Sequence, residues 1–173
     1  PVAIMDLSSW PEIIEPEETG ETFLANAELK ASYYAQKTGK YCLADDSGLE
    51  VFALNGEPGV YSARYAGDGH DDKANNRLLL KNMQGKSDRD CRFCCFLALA
   101  QPDGKIVLTA KGFCEGVLLE EEEGSGGFGY DPLFYSKDLQ KSLGVATDAE
   151  KNSISHRSRA LQELVKLWSD KVC

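Results

Sequence analysis

The chain has 173 residues, 42% of them hydrophobic and 27% charged, as suits one globular domain with a real core. Its net charge is −9 and no Lys/Arg cluster stands out, so a long nucleic-acid partner, which demands many phosphate neutralisations, is not expected. No apolar stretch nears the roughly 20 residues of a membrane span and no charged-then-apolar leader is read, so neither membrane nor secretory signal is expected.

In chain order, "PVAIMDL" reads as a short strand, followed by the acidic loop "SSWPEIIEPEETGE". Thr22 then suits the N-cap of a helix to about Thr38, with Phe23, Ala27, Ala31, Tyr34 and Ala35 at helical spacing and Gly39 as its stop. "KYCLAD" predicts a strand, Asp46-Ser47-Gly48 a break, and "LEVFAL" a further strand closed by the turn "NGEPG". A second helix starts at Asp71 or Asp72 and ends near Gly85. Two strands, "CRFCCFLALAQ" and "KIVLTAKGFCEGVLLE", flank the tight turn "PDGK". The acidic run Glu120 to Glu123 reads as a solvated loop edge, and the glycine-rich "EGSGGFGYDP" follows. The last helix is announced by "TDAE", with capping-box spacing, and by an apolar stripe of Leu161, Leu164, Val165 and Trp168. There is no internal repeat. The mixture, with one long hairpin, implies an α/β (mixed α+β) fold rather than a purely parallel sheet.

The six cysteines sit mostly in strand-like runs, Cys91, Cys94 and Cys95 in "CRFCCFLALA", Cys42 and Cys114 in others, with Cys173 terminal. No second CxxC accompanies them, so they read as small packed apolar residues rather than a zinc site. Free thiols in that number point to a reducing compartment, the cytoplasm.

Chemistry concentrates in four segments. "LADDSGLEV" puts Asp45 and Asp46 side by side at an expected strand end, a costly arrangement unless a cation, a proton or solvent neutralises it. A turn beginning at Asp46 would swing both carboxylates into one crevice, where hard oxygens suit Mg2+ or Mn2+ and one of them can activate water; a merely solvated turn remains the other reading. In "SGGFGYDP" the glycines allow close approach to a flat ligand, Phe128 and Tyr130 offer stacking and Asp131 an acceptor, although such loops are often only loops. "EKNSISHRSRA" gathers Lys151, His156 and Arg157 at a helix start, with Ser155 as a local cap; ordinary solvated cations are the alternative. In "PGVYSARYAGDGHDD", Arg64 between two tyrosines is a ligand contact or cation–π packing, and His70 reads as an exposed loop residue.

Together these segments resemble one family. "TGETFLANAELKA", "LADDSGLEV", "PGVYSARYAG", "GGFGYDPLF" and "EKNSISHRSRAL" occur in the order expected of the inosine triphosphate pyrophosphatase family, the non-canonical purine NTP or dITP/XTP pyrophosphatases. The resemblance implies an elongated mixed sheet with flanking helices, two lobes around a central nucleotide cleft, and a homodimer. It implies Mg2+-dependent hydrolysis of ITP, dITP or XTP to the monophosphate and pyrophosphate, which cleans the nucleotide pool. By position it makes Asp46 the catalytic base and a metal-site residue, Asp45 its metal-site neighbour, and Ser47 with Gly48 the phosphate-side contact. Phe128, Gly129, Tyr130 and Asp131 fall in its base-binding segment, and Lys151, His156 and Arg157 match residues that recognise a 6-keto purine. Two departures stand out. Where the family's "TFxENA" has an acidic side chain, this chain has Ala25, whose methyl cannot coordinate a metal. The chain starts at Pro1 with "PVAIMDL", which resembles the family's second strand, so residues 1–173 are expected to form a single domain lacking the opening strand and its phosphate-binding turn. Impaired catalysis with retained nucleotide binding is the alternative these departures imply.

Overall fold

In the computed structural model, which describes residues 3–172, Thr22 starts helix α1 (Phe23–Thr38): its hydroxyl accepts from the Ala25 amide, and Gly39 closes the helix in the left-handed region at φ 67°. Pro1, Val2 and Cys173 lie outside the described residues. The strand expected at the start does not form in residues 3–6; Asp6 caps a single 3-10 turn, Leu7–Ser9, and Ile4 and Met5 face solvent. Alternation alone makes no strand where no described strand pairs with it.

The largest departure is strand β1 (Cys42–Val51), which runs without a break through Asp45, Asp46, Ser47 and Gly48. Strand β2 (Asp90–Ala100) pairs with it along its whole length, from Cys42 opposite Ala100 to Val51 opposite Cys91. Ten paired residues outweigh the local turn preference of Asp-Ser-Gly, because a bend there would orphan ladder hydrogen bonds. The expected second strand "LEVFAL" is therefore the end of β1 plus a 3-10 turn, Phe52–Leu54.

Strand β3 (Ile106–Leu118) returns along β2 through the expected "PDGK" turn, closed by the Gly104 amide donating to the Gln101 carbonyl (2.8 Å). Two short strands, β4 (Phe134–Ser136) and β5 (Lys141–Ser142), complete a sheet of order β1-β2-β3-β4-β5. The α/β class with flanking helices holds, and each described strand pairing is antiparallel.

At the hairpin's tip the two sheet faces carry different helices. Ala27, Ala31 and Ala35 of α1 pack on Ala98 and Ala100, with Ala44 and Phe96 beside them. On the other face Ala160 and Leu164 of helix α4 (His156–Val172) pack on Cys95, Leu97, Leu108 and Ala110. At the opposite end, helix α2 (Asp72–Asn82) contributes Leu79 to a third cluster with Leu49, Val51, Phe93, Leu133 and Phe134. Cys91, Cys94, Cys95 and Cys114 are free and buried, filling core volume as small apolar side chains. No helix among the described residues is long and apolar enough to cross a membrane.

The expected last helix is two. A complete capping box, Thr147 with Glu150, starts the short α3 (Asp148–Ile154), and Ser155 adopts extended backbone before its hydroxyl accepts from the Ser158 amide to open α4. Of the predicted stripe only Leu164 is buried; Leu161, Val165 and Trp168 are exposed, because Ala160 and Leu164 set the face that meets the sheet.

Gly112 of β3 decides how closely α4 approaches. A β-carbon there would strike the His156 carbonyl and the Ala160 amide nitrogen, backbone atoms that cannot swing aside. Gly112→Ala is expected to lift the start of α4 from the sheet and cost about 2–3 kcal/mol, the range of overpacking. Thermal denaturation checks it: an unchanged midpoint would show that α4 has slack.

Candidate active site

Because β1 stays extended, adjacent side chains emerge on opposite faces. Asp46 lies across from Phe96 on the α1 face, and Asp45 across from Leu97 on the α4 face. The shared crevice expected for the two carboxylates is thus corrected: each meets its own cation, from a different helix. The question raised by two adjacent like charges is answered by the protein itself.

On the α1 face Asp46 Oδ2 accepts from Asn26 Nδ2 (3.2 Å), and Lys30 Nζ bridges Asp46 Oδ1 (3.2 Å) and Glu18 Oε1 (2.6 Å). Asn26, wholly buried, also accepts from the Gly20 amide at 2.7 Å, so one side chain joins the acidic loop to the carboxylate. Burial works against the Lys30 ammonium, but Glu18 and Asp46 outweigh it and its pKa is raised. For Asp46, burial is the leading influence; Lys30 and Asn26 oppose it, Glu18 adds repulsion, and the pKa ends above the usual aspartate value. Lys30 is nearer to Glu18 than to Asp46, so it neutralises Asp46 only in part.

On the α4 face Arg157 donates to Asp45 Oδ2 through Nη2 (2.9 Å) and Nε (3.3 Å), and Ser47 donates to the same oxygen at 3.1 Å. Burial opposes ionisation of Asp45, yet the Arg157 bonds and charge hold its pKa below the usual range. His156 stacks on Phe93, with ring centroids 5.2 Å apart, and burial with the neighbouring Arg157 pushes it down to about 4.

The glycine loop forms a third group. Lys151 Nζ bonds Asp131 Oδ2 at 2.6 Å and lies 5.3 Å from the centroid of the Phe128 ring. The same Asp131 oxygen accepts from the Phe128 amide at 3.1 Å. Phe128 is 72% exposed. Tyr130, by contrast, is buried in the core and donates to the Ser62 carbonyl at 2.7 Å, which leaves it no free face for stacking. Gly48 is also buried, and a β-carbon there would lie 2.5 Å from Ser62 Oγ and 2.8 Å from the Gly59 carbonyl. Its missing side chain serves packing. Arg64 lies over the Tyr61 ring at 5.5 Å.

Sequence reasoning missed Glu18, Asn26 and Lys30. A signal existed: Asn26 falls beside Ala27, on the stripe that Ala31 and Ala35 continue, and a polar side chain there needs a buried partner. Among the described residues no three His, Cys, Asp or Glu side chains converge on one point, so a metal here would need ligands from the substrate or water.

His156 makes stability pH-dependent. Its folded pKa, about 4, lies below the ordinary 6.5, so between those values the unfolded chain holds a proton that the native one does not. Stability contributed by neutral His156 is present above about pH 6.5 and lost as pH falls toward 4. Replacing it in His156→Phe should flatten the acid side of a melting-temperature profile relative to the unmodified chain; parallel profiles would contradict this.

Comparison with known proteins agrees with the five ordered motifs. The model of the Ham1 family matches residues 1–167. The protein named dITP/XTP pyrophosphatase from Desulforamulus reducens is 49% identical over 95% of this chain and 82% of its own length. Its namesake from Bacillus licheniformis is 48% identical over 95% and 83%. Among solved structures, the Staphylococcus aureus Ham1 protein superposes with a TM-score of 0.91 at 40% identity, covering 98% of this chain and 88% of its own. A nucleoside-triphosphatase / dITP/XTP pyrophosphatase from Mycobacterium abscessus gives 0.81 at 40%, over 94% and 83%. The chain belongs to the Ham1 family.

Proposed function

We propose that this chain hydrolyses non-canonical purine nucleoside triphosphates of the dITP/XTP type to the monophosphate and pyrophosphate. The observation that carries the reading is Asp46: a largely buried carboxylate with a raised pKa, held by Asn26 and facing Lys30 and Glu18. The names of its relatives supply the substrate class.

Asp46 acts as general base. It accepts a proton from water as the water oxygen attacks the α-phosphorus; the bond from that phosphorus to the bridging oxygen breaks, and pyrophosphate leaves. Lys30 turns from its carboxylates to the phosphate oxygens. The glycine loop takes the base, with Phe128 on its face and Lys151 placed for a keto oxygen. Arg157, now on Asp45, is a further donor that we assign to the base, since its guanidinium fork suits a keto oxygen.

The donor set on the α1 face suits Mg2+ or Mn2+. Glu18 and Asp46 aim oxygens at one point that the Lys30 ammonium now fills, so the place already holds a cation, and Mg2+ is commonly bound by one or two carboxylates plus phosphates. Bound there, the ion would neutralise charge on the phosphates. Glu18 replaces Asp45 in this assignment, since Asp45 faces the other way.

A second reading, nucleotide binding without turnover, is favoured by Ala25, whose methyl offers no oxygen beside Asn26. Calorimetric binding of ITP with no pyrophosphate release would select it, whereas turnover gained in Ala25→Glu would mark a disabled enzyme instead.

With Mg2+ and dITP, steady pyrophosphate release is expected, abolished by EDTA. Asp46→Asn should lower kcat by roughly 100- to 10,000-fold; full activity in that variant rules Asp46 out as the base. In the metal-free protein, NMR titration of the Asp46 carboxyl should give a pKa above the usual aspartate range, and Lys30→Met, which removes the cation that lowers it, should raise it further; an unshifted carboxyl contradicts this.

A further inference from the structure

Asn76, in α2, is only 3% exposed, and its Oδ1 has no hydrogen-bond partner. A buried unpaired amide oxygen costs about 1–3 kcal/mol, so this arm of Asn76 works against stability. What the amide does contribute is on its other arm. Nδ2 donates to the Gly129 carbonyl at 3.2 Å and to Glu122 Oε1 at 3.0 Å. One turn earlier, Asp72 Oδ2 accepts from the Gly129 amide at 2.7 Å.

Both polar groups of the Gly129 backbone are therefore held by the first turns of α2, with Gly129 at φ 59°, a conformation that favours glycine. On the near side the Phe128 amide is held by Asp131. The result is an exposed aromatic ring on a pinned backbone. A ring that must stack on a flat ligand binds better when its backbone order precedes the encounter, because less entropy is lost on association.

We infer that Asp72 and Asn76 are positioning residues for the nucleobase: by clamping the Gly129 backbone from α2 they fix the presentation of Phe128. The inference rests on the proposal that the Phe128 loop takes the base. Neither residue touches the substrate, and their contribution appears in substrate binding rather than in the hydrolytic step.

Steady-state kinetics with dITP on the full chain test this, with thermal denaturation alongside. Asn76→Leu and Asp72→Ala should each raise KM roughly 3- to 10-fold with kcat within about twofold. Asn76→Leu should melt at or above the unmodified chain, since it removes the orphan oxygen while Glu122 and Gly129 can turn to water. Asp72→Asn keeps an acceptor for the Gly129 amide and should restore most of the KM. Phe128→Ala is the reference. If it leaves KM unchanged, the base-loop reading fails and this inference falls with it. If it raises KM while Asn76→Leu and Asp72→Ala do not, the inference alone is overturned. A lower melting point in Asn76→Leu with activity falling in step would mark Asn76 as purely structural and also overturn it.

Discussion

The site depends on β1 remaining extended through two aspartates. Side chains one residue apart in a strand leave on opposite faces, so the chain separates two like charges by geometry. Each is then met by a cation from a different helix, Lys30 of α1 for Asp46 and Arg157 of α4 for Asp45. The two pairs differ in weight. Lys30 and Asp46 side chains are 13% and 12% exposed, Arg157 and Asp45 50% and 38%. An exposed pair contributes about 0–1 kcal/mol, whereas breaking a buried one by removing a partner costs several. The α1 face is the one where charge must be balanced, and also the one where a phosphate or a metal ion would find balanced charge to rearrange.

The molecule divides its labour along the sheet. Alanines let α1 lie close to β2 and bring Asn26 and Lys30 to Asp46; Gly112 lets the start of α4 rest on β3 and sets His156 and Arg157. The glycine loop is fastened by Asp131, Asp72 and Asn76, and Lys151 joins it through Asp131. Asn76 does this fastening with one arm only, since its Oδ1 has no hydrogen-bond partner.

Much of the fold was legible along the chain. Thr22 and Gly39 bound α1, Thr147 and Glu150 make the capping box, and "PDGK" closes the β2–β3 hairpin, because caps and tight turns are satisfied within a few residues. The motifs also carried the family. What misled was Asp46-Ser47-Gly48, whose local preference for a turn is overridden by the ladder to β2. Tyr130 looked like a stacking residue and is core, because the loop around it folds back onto Ser62.

The sequence by itself determined the local elements, the family and the set of residue types available for chemistry, since these rest on short-range hydrogen bonding and on ordered motifs. Only the tertiary structure decided which of those residues meet. Glu18 reaches Lys30 across 12 positions, Asn26 reaches Asp46 across 20, and Arg157 reaches Asp45 across 112. Such partnerships follow from strand register and helix docking, which bring distant segments together through packing that no short window of the chain contains.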